Sequence, residues 1–119
     1  MTTTTPKSKR GDVVLVLFPH SDLRTAKLRP ALVVQADHLE TDLSQMVVCM
    51  LTSRLFRANH PSRVMVRLST EQGQHSGLLS DSVVMTDNLA TLVDTEIDRV
   101  IGTIPMGEVD KALKHTLAL

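Results

Sequence analysis

Short, continuous apolar runs separated by polar stretches dominate this chain, and few segments are long enough to make a helix. Val13-Val14-Leu15-Val16-Leu17-Phe18 is rich in β-branched residues and ends at Pro19, which predicts a buried strand. Pro30 biases Arg29 toward an extended backbone, and Ala31-Leu32-Val33-Val34 predicts a second strand that begins at that arginine. Met46-Val47-Val48-Cys49-Met50-Leu51 predicts a third, closed by the hydroxyl pair Thr52-Ser53. Between them, Pro19 to Leu28 reads as a polar and basic surface loop, and Asp37 to Gln45 as a polar connection with room for a helical turn.

After the basic loop from Arg54 to Pro61 the pattern changes. Val64, Val66 and Leu68 alternate with Arg63, Met65 and Arg67, the period of a half-buried strand exposed on its arginine face. Gly73 and Gly77 punctuate a turn region. Leu78-Leu79 through Val83-Val84-Met85 predict one or two short strands, and Leu89 to Val93 and Arg99 to Ile104 predict more, with a bend at Gly102. Helical spacing is clear only at the end, where Val109, Ala112, Leu113 and Leu117 share one face and Glu108 and Asp110 suit the positive start of a helix. Many short strands and one terminal helix predict a small, strongly bent sheet or partly open barrel, with no room for the alternating helices of a doubly wound fold.

With 119 residues, one domain is expected, and Met1 to Lys9 reads as a flexible basic lead-in to it. Trp and Tyr are absent and there are two Phe, so aliphatic side chains must make the core. One cysteine excludes an internal disulfide framework, and no apolar run approaches a membrane span. A cytoplasmic protein is the expectation. The net charge is zero, but the sum hides an asymmetry: through Arg67 there are ten Lys/Arg against five Asp/Glu, and from Leu68 onward three against eight. A basic surface attracts an anionic ligand such as nucleic acid. Equally, the two halves can fold together and intermix their charges.

No phosphate-binding glycine loop, zinc-spaced Cys or His pair, or Gly-x-Ser-x-Gly turn occurs, so neither metal nor cofactor is expected. The five histidines are scattered; His20 and His60, in loops beside the strands of interest, could transfer protons. The informative constellation is Lys27-Leu28-Arg29-Pro30 with Leu51-Thr52-Ser53. A guanidinium is a permanent, planar fork of donors suited to phosphate oxygens, and a hydroxyl on a neighbouring strand end can donate to another oxygen of the same phosphodiester.

Arg10-Gly11-Asp12-Val13-Val14-Leu15-Val16, then Arg29-Pro30-Ala31-Leu32-Val33-Val34, then Leu51-Thr52-Ser53 resemble, in order and spacing, the MazF/PemK family of toxin endoribonucleases. The likeness runs on through Ser76-Gly77-Leu78 and Asp81 into the terminal helix, covering residues 10–119 as one domain. It implies an SH3-like barrel with a C-terminal α-helix, forming a homodimer, that cleaves single-stranded RNA without a metal and is silenced by a cognate antitoxin protein. Arg29 matches the family's catalytic arginine and Thr52 its catalytic threonine. Asp81 matches an acidic position that some members use in an Arg-x-Asp pair, although Leu79 stands where that arginine would be. The segment Pro19 to Leu28 lacks the family's Gly-x-Glu-Gln-x-Gly. Arg24, Lys27, Ser53, Arg54 and Arg57 would bind the RNA, and His20, His60 or Asp81 would move protons. CcdB-type toxins, which bind DNA gyrase and do no chemistry, share the barrel, and an inactive RNA-binding relative would too; Arg29 and Thr52 together favour the nuclease.

Overall fold

A computed structural model describes residues 8–19 and 26–119. Most of the lead-in, together with His20 and Arg24, lies outside the described residues. Six strands, β1 (Asp12–Pro19), β2 (Ala26–Val33), β3 (Gln45–Thr52), β4 (Arg63–Val66), β5 (Ser82–Val93) and β6 (Ile97–Thr103), form one antiparallel sheet in the order β4-β5-β3-β2-β1-β6. Two helices accompany them, α1 (Glu71–His75) and α2 (Gly107–Leu117), with a 3-10 turn at Leu55–Ala58.

The unbroken apolar runs of the first three strands are explained by burial on both faces. Val13, Leu32, Cys49 and Leu51 pack on one side with Val66, Val84 and, from α2, Val109. Their sequence neighbours Val14, Val16, Ala31, Val33, Val48 and Met50 pack on the other with Leu92. A single sheet can cover both of its own faces only by bending. β5 supplies the bend: Cys49 pairs with Leu89 but Met50 pairs with Met85, so Thr86, Asp87 and Asn88 bulge out of the ladder. Among the described residues, the buried apolar side chains are all aliphatic, Met or Cys.

The Arg10-Gly11-Asp12 block ties the start of β1 to three other elements. Gly11, at φ +94, donates its amide to the Val33 carbonyl and accepts from the Ile104 amide, both at 2.9 Å. Arg10 donates to the Val34 carbonyl at 3.1 Å and pairs with Asp110 of α2 at 2.6 Å.

Several boundaries differ from the sequence expectation. β2 begins at Ala26, not Arg29, because the hairpin with β1 continues through Leu17↔Leu28 and Pro19↔Ala26 into the stretch read as loop. Pro30 is tolerated inside β2 because the ladder to β3 covers only Ala31 to Val33, so no partner there needs its missing amide. Asp37 to Ser44 contains no helix; His38, Glu40 and Asp42 take left-handed conformations instead. The turn region at Gly73 contains α1, capped by Thr70, whose hydroxyl accepts the Gly73 amide at 3.0 Å. Leu78-Leu79 is not strand, and Ser82–Val93 is one 12-residue strand where two were expected. Gly102 is a place of close approach: a Cβ there would lie 2.3 Å from the Ser76 backbone.

Candidate active site

Cross-strand partners share a face of the sheet, so the register decides which side chains meet. On β2, Ala31 and Val33 face the cluster that holds Val14, Val16 and Met50, and alternation sets Lys27 and Arg29 on that same face toward the strand's start. Arg29 pairs directly with Val16. The β2–β3 ladder ends at Ala31↔Met50, and continuing its register two residues sets Arg29 opposite Thr52. Thr52 in turn pairs with Val83 of β5, and Val83 with Met65 of β4. Arg29 and Thr52 thus lie just past the end of the β2–β3 ladder, and strand alternation gives both the face turned away from α2, because α2 packs against the opposite cluster through Val109.

Arg29 and Lys27 are exposed and Thr52 is half-buried. The Thr52 hydroxyl oxygen accepts the Arg54 amide at 3.2 Å, which fixes the turn out of β3 and leaves the O–H free to donate. Ser53 and Arg54 are exposed immediately beyond it. Arg57, on the 3-10 turn, aims Nη1 at the Met85 sulfur at 3.8 Å, and Met85 pairs with Met50 in the row next to Thr52. Its guanidinium carbon also stands 5.8 Å from the centre of the Phe56 ring.

Asp81 lies two residues before Val83, where its Oδ1 accepts the Leu68 amide at 2.8 Å and its other oxygen is 3.8 Å from Arg67. The arginine beside this acid therefore comes from the end of β4, while Leu79 stands 98% exposed. His60 is drawn elsewhere. Its Nδ1 accepts the Ser62 amide at 3.1 Å, which puts the proton of the neutral ring on Nε2, and the ring meets His115 of α2 edge to face at 6.1 Å. Ser62 is tied to Thr86, whose hydroxyl also bonds Thr116 of α2 at 2.7 Å. Arg29 thus sits within β2 and Thr52 at the end of β3, Arg54 and Arg57 in the loop after Thr52 and Asp81 just before β5, while His60 is drawn toward the helix.

The opposite charges of the two halves interlock. Arg10–Asp110, Arg63–Asp87 and Arg67–Asp81 each join a base of the first half to an acid of the second. Arg63 makes the most of these contacts: Nε and Nη2 fork onto the Asp87 carboxylate at 2.8 and 2.7 Å while Nη1 donates to the Arg57 carbonyl at 2.9 Å. That hydrogen-bonded fork lowers the Asp87 pKa from its ordinary value and raises that of Arg63. Among the described residues, Lys27, Arg29, Arg54 and Arg57 form no ion pair, and neither do Lys9 and Lys114, so four of the six unpaired cations lie on β2 and in the loop that follows Thr52. Neither Arg63 nor Phe56 stands out in the sequence as a site residue; a rare aromatic inside a basic loop was the available signal. Cys49 is buried in the opposite cluster, and desolvation pushes its thiol up to about 12, so it is no nucleophile.

Residues 9–117 match the family described as the PemK-like, MazF-like toxin of type II toxin-antitoxin systems. Curated relatives include Endoribonuclease MazF2 of Mycobacterium bovis and Endoribonuclease MazF6 of Mycobacterium tuberculosis, each 33% identical over 87% of this chain and 90% of its own. The fold is shared with a mycobacterial endoribonuclease in complex with its cognate antitoxin (TM-score 0.70, 24% identity, 95% of this chain and 97% of that one). It is shared as well with a MazE-MazF structure from Deinococcus radiodurans (TM-score 0.70, 20% identity, 94% and 97%). The family match spans nearly the whole described chain and includes the strands that carry Arg29 and Thr52, and on it the chain belongs to the PemK-like, MazF-like toxins of type II toxin-antitoxin systems.

Proposed function

We propose that this toxin is an endoribonuclease that cuts single-stranded RNA, messenger RNA included, and so stops translation and growth. Attack of a ribose 2'-hydroxyl on the adjacent phosphodiester breaks the bond to the next 5'-oxygen and leaves a 2',3'-cyclic phosphate and a 5'-hydroxyl. Because the substrate brings its own nucleophile, the protein has to position the phosphate, stabilise the added negative charge and move two protons, and no metal is called for. Arg29 grips the non-bridging oxygens with its fork, and Thr52 donates a hydrogen bond that fixes the phosphate between strands. Lys27, Ser53, Arg54 and Arg57 hold the flanking chain. Of the proton-transfer residues weighed from the sequence, Asp81 lies two residues before Val83, the partner of Thr52, while His60 is drawn toward the helix, and we favour Asp81 or a water molecule it orders.

The observation that supports this reading is that Arg29 and Thr52 each lie two residues beyond the last β2–β3 pair, Ala31↔Met50, with Lys27, Ser53 and Arg54 exposed beside them. We further propose that the active form is a homodimer working in the cytoplasm, where messenger RNA is found, and that a cognate antitoxin protein inhibits by covering this face. An acidic antitoxin segment suits the cations around Thr52. Incubating purified protein with long RNA in EDTA, and mapping the ends formed, tests the activity; added antitoxin should displace a non-cleavable RNA.

A further inference from the structure

Among the described side chains the core holds no aromatic ring, and one of the two phenylalanines, Phe56, stands 77% exposed four residues past Thr52. A ring of that size left in water forgoes much of the burial that usually makes phenylalanine stabilising. It is also held in place. The 3-10 turn that carries it is fastened by Arg63 Nη1 on the Arg57 carbonyl at 2.9 Å and by the His60 amide on the Ala58 carbonyl at 2.8 Å, and Arg63 is itself forked onto Asp87. The Arg57 guanidinium is 5.8 Å from the ring centre and directs Nη1 to Met85, in the row next to Thr52, so the ring belongs to the same face as the phosphate-binding groups.

We propose that Phe56 is a stacking platform for one unstacked base of the bound RNA, a proposal that rests on the endoribonuclease reading above. Single strands are held by basic grooves in which bases lie on aromatic side chains and arginine planes, and Arg57 beside Phe56 supplies both kinds of surface. A base brings its own phosphate to the neighbouring arginines. An apolar protein partner closing over the ring would instead bury Arg57 without an acidic group to compensate it, at a cost that RNA does not incur. Because the turn is already fastened, little conformational freedom is lost on binding.

The test compares wild type with Phe56→Ala, Phe56→Leu and Phe56→Trp on two readouts: steady-state cleavage of an oligoribonucleotide that the wild type cuts, and fluorescence of 2-aminopurine placed in turn at positions of a 2'-deoxy-blocked version. Phe56→Ala should lower kcat/KM by about 5- to 100-fold, the range set by loss of one base–aromatic stack, and should do so through KM with kcat nearly unchanged. Phe56→Trp should restore the wild-type value and Phe56→Leu should not. One 2-aminopurine position should be quenched by wild type and Phe56→Trp but not by Phe56→Ala. Phe56→Leu matching wild type, or the Ala variant altering dimer mass or antitoxin affinity while leaving RNA binding and quenching intact, would overturn the proposal. Should wild type leave every RNA uncut, the endoribonuclease reading falls, while the quenching comparison still decides the platform.

Discussion

In the proposed reaction Arg29 acts through shape as much as charge. A lysine keeps the positive charge but offers a point donor where the phosphate meets a planar fork, so Arg29→Lys should slow cleavage by roughly 10²-fold or more, as loss of a preorganised donor does. Single-turnover rates on one defined RNA check this, with circular dichroism confirming the fold. Asp87 gives a pH-dependent counterpart. Its pKa is lowered by Arg63, so the pair contributes stability that is fully present above the ordinary carboxylate range, about pH 4, and is lost as pH falls through the depressed folded value. Asp87→Asn should therefore unfold at lower urea than wild type at pH 7, and the difference should close in acid. A gap that stays constant down to pH 2 would show that the carboxylate charge is not what Arg63 holds. Arg29 and Thr52 are legible in the sequence as one candidate pair because their chemistry shows in their residue types and their places at predicted strand ends. Arg63 was not, since a strand arginine in an alternating pattern reads as solvated, and only the β5 bulge brings Asp87 to it.

At the scale of elements, the sequence revealed strands wherever apolar runs were continuous and failed where backbone contacts decide. β1 and β3 come within a residue or two of expectation because burial on both faces leaves no polar position inside them. The hairpin extension of β2 from Arg29 back to Ala26 is hidden because Lys27 looks like a loop residue, yet it is an exposed position of a strand. β5 was split into two because Thr86-Asp87-Asn88 has turn composition; the residues do leave the ladder, and the strand resumes after them. Gly102 and Gly73 were read as punctuation, whereas each permits a backbone approach: a Cβ on Gly73 would sit 1.8 Å from the Arg67 carbonyl oxygen. Gly73→Ala should accordingly destabilise by about 1–3 kcal/mol, the usual cost of overpacking, measured by urea unfolding. A neutral result would mean that α1 can shift away from β4 without penalty.

For the molecule as a whole, equal numbers of acids and bases conceal a sorting by face. Three ion pairs tie the basic half of the chain to the acidic half, and four cations with no ion pair among the described residues, Lys27, Arg29, Arg54 and Arg57, lie on β2 and in the loop that follows Thr52. The zero net charge thus coexists with a surface suited to a phosphate chain. Replacing Arg54 and Arg57 together should weaken RNA binding and make it less salt-dependent, the slope of log K against log salt falling by about 0.7 for each phosphate contact removed. An unchanged slope in the double variant, measured by titration at several salt concentrations, would mean that these arginines do not touch the backbone.

The proposed reaction has Arg29 and Thr52, which lie just past the last β2–β3 pair, cleave RNA with the substrate's own 2'-hydroxyl as nucleophile. Its most direct test is the double comparison of wild type, Arg29→Lys and Thr52→Ala on one long RNA in EDTA, with the chemistry of the new ends determined. Wild type should yield discrete fragments ending in 2',3'-cyclic phosphate and 5'-hydroxyl, and both variants should be strongly impaired while remaining folded. Fragments with other ends, or variants that cut at wild-type rates, would contradict it.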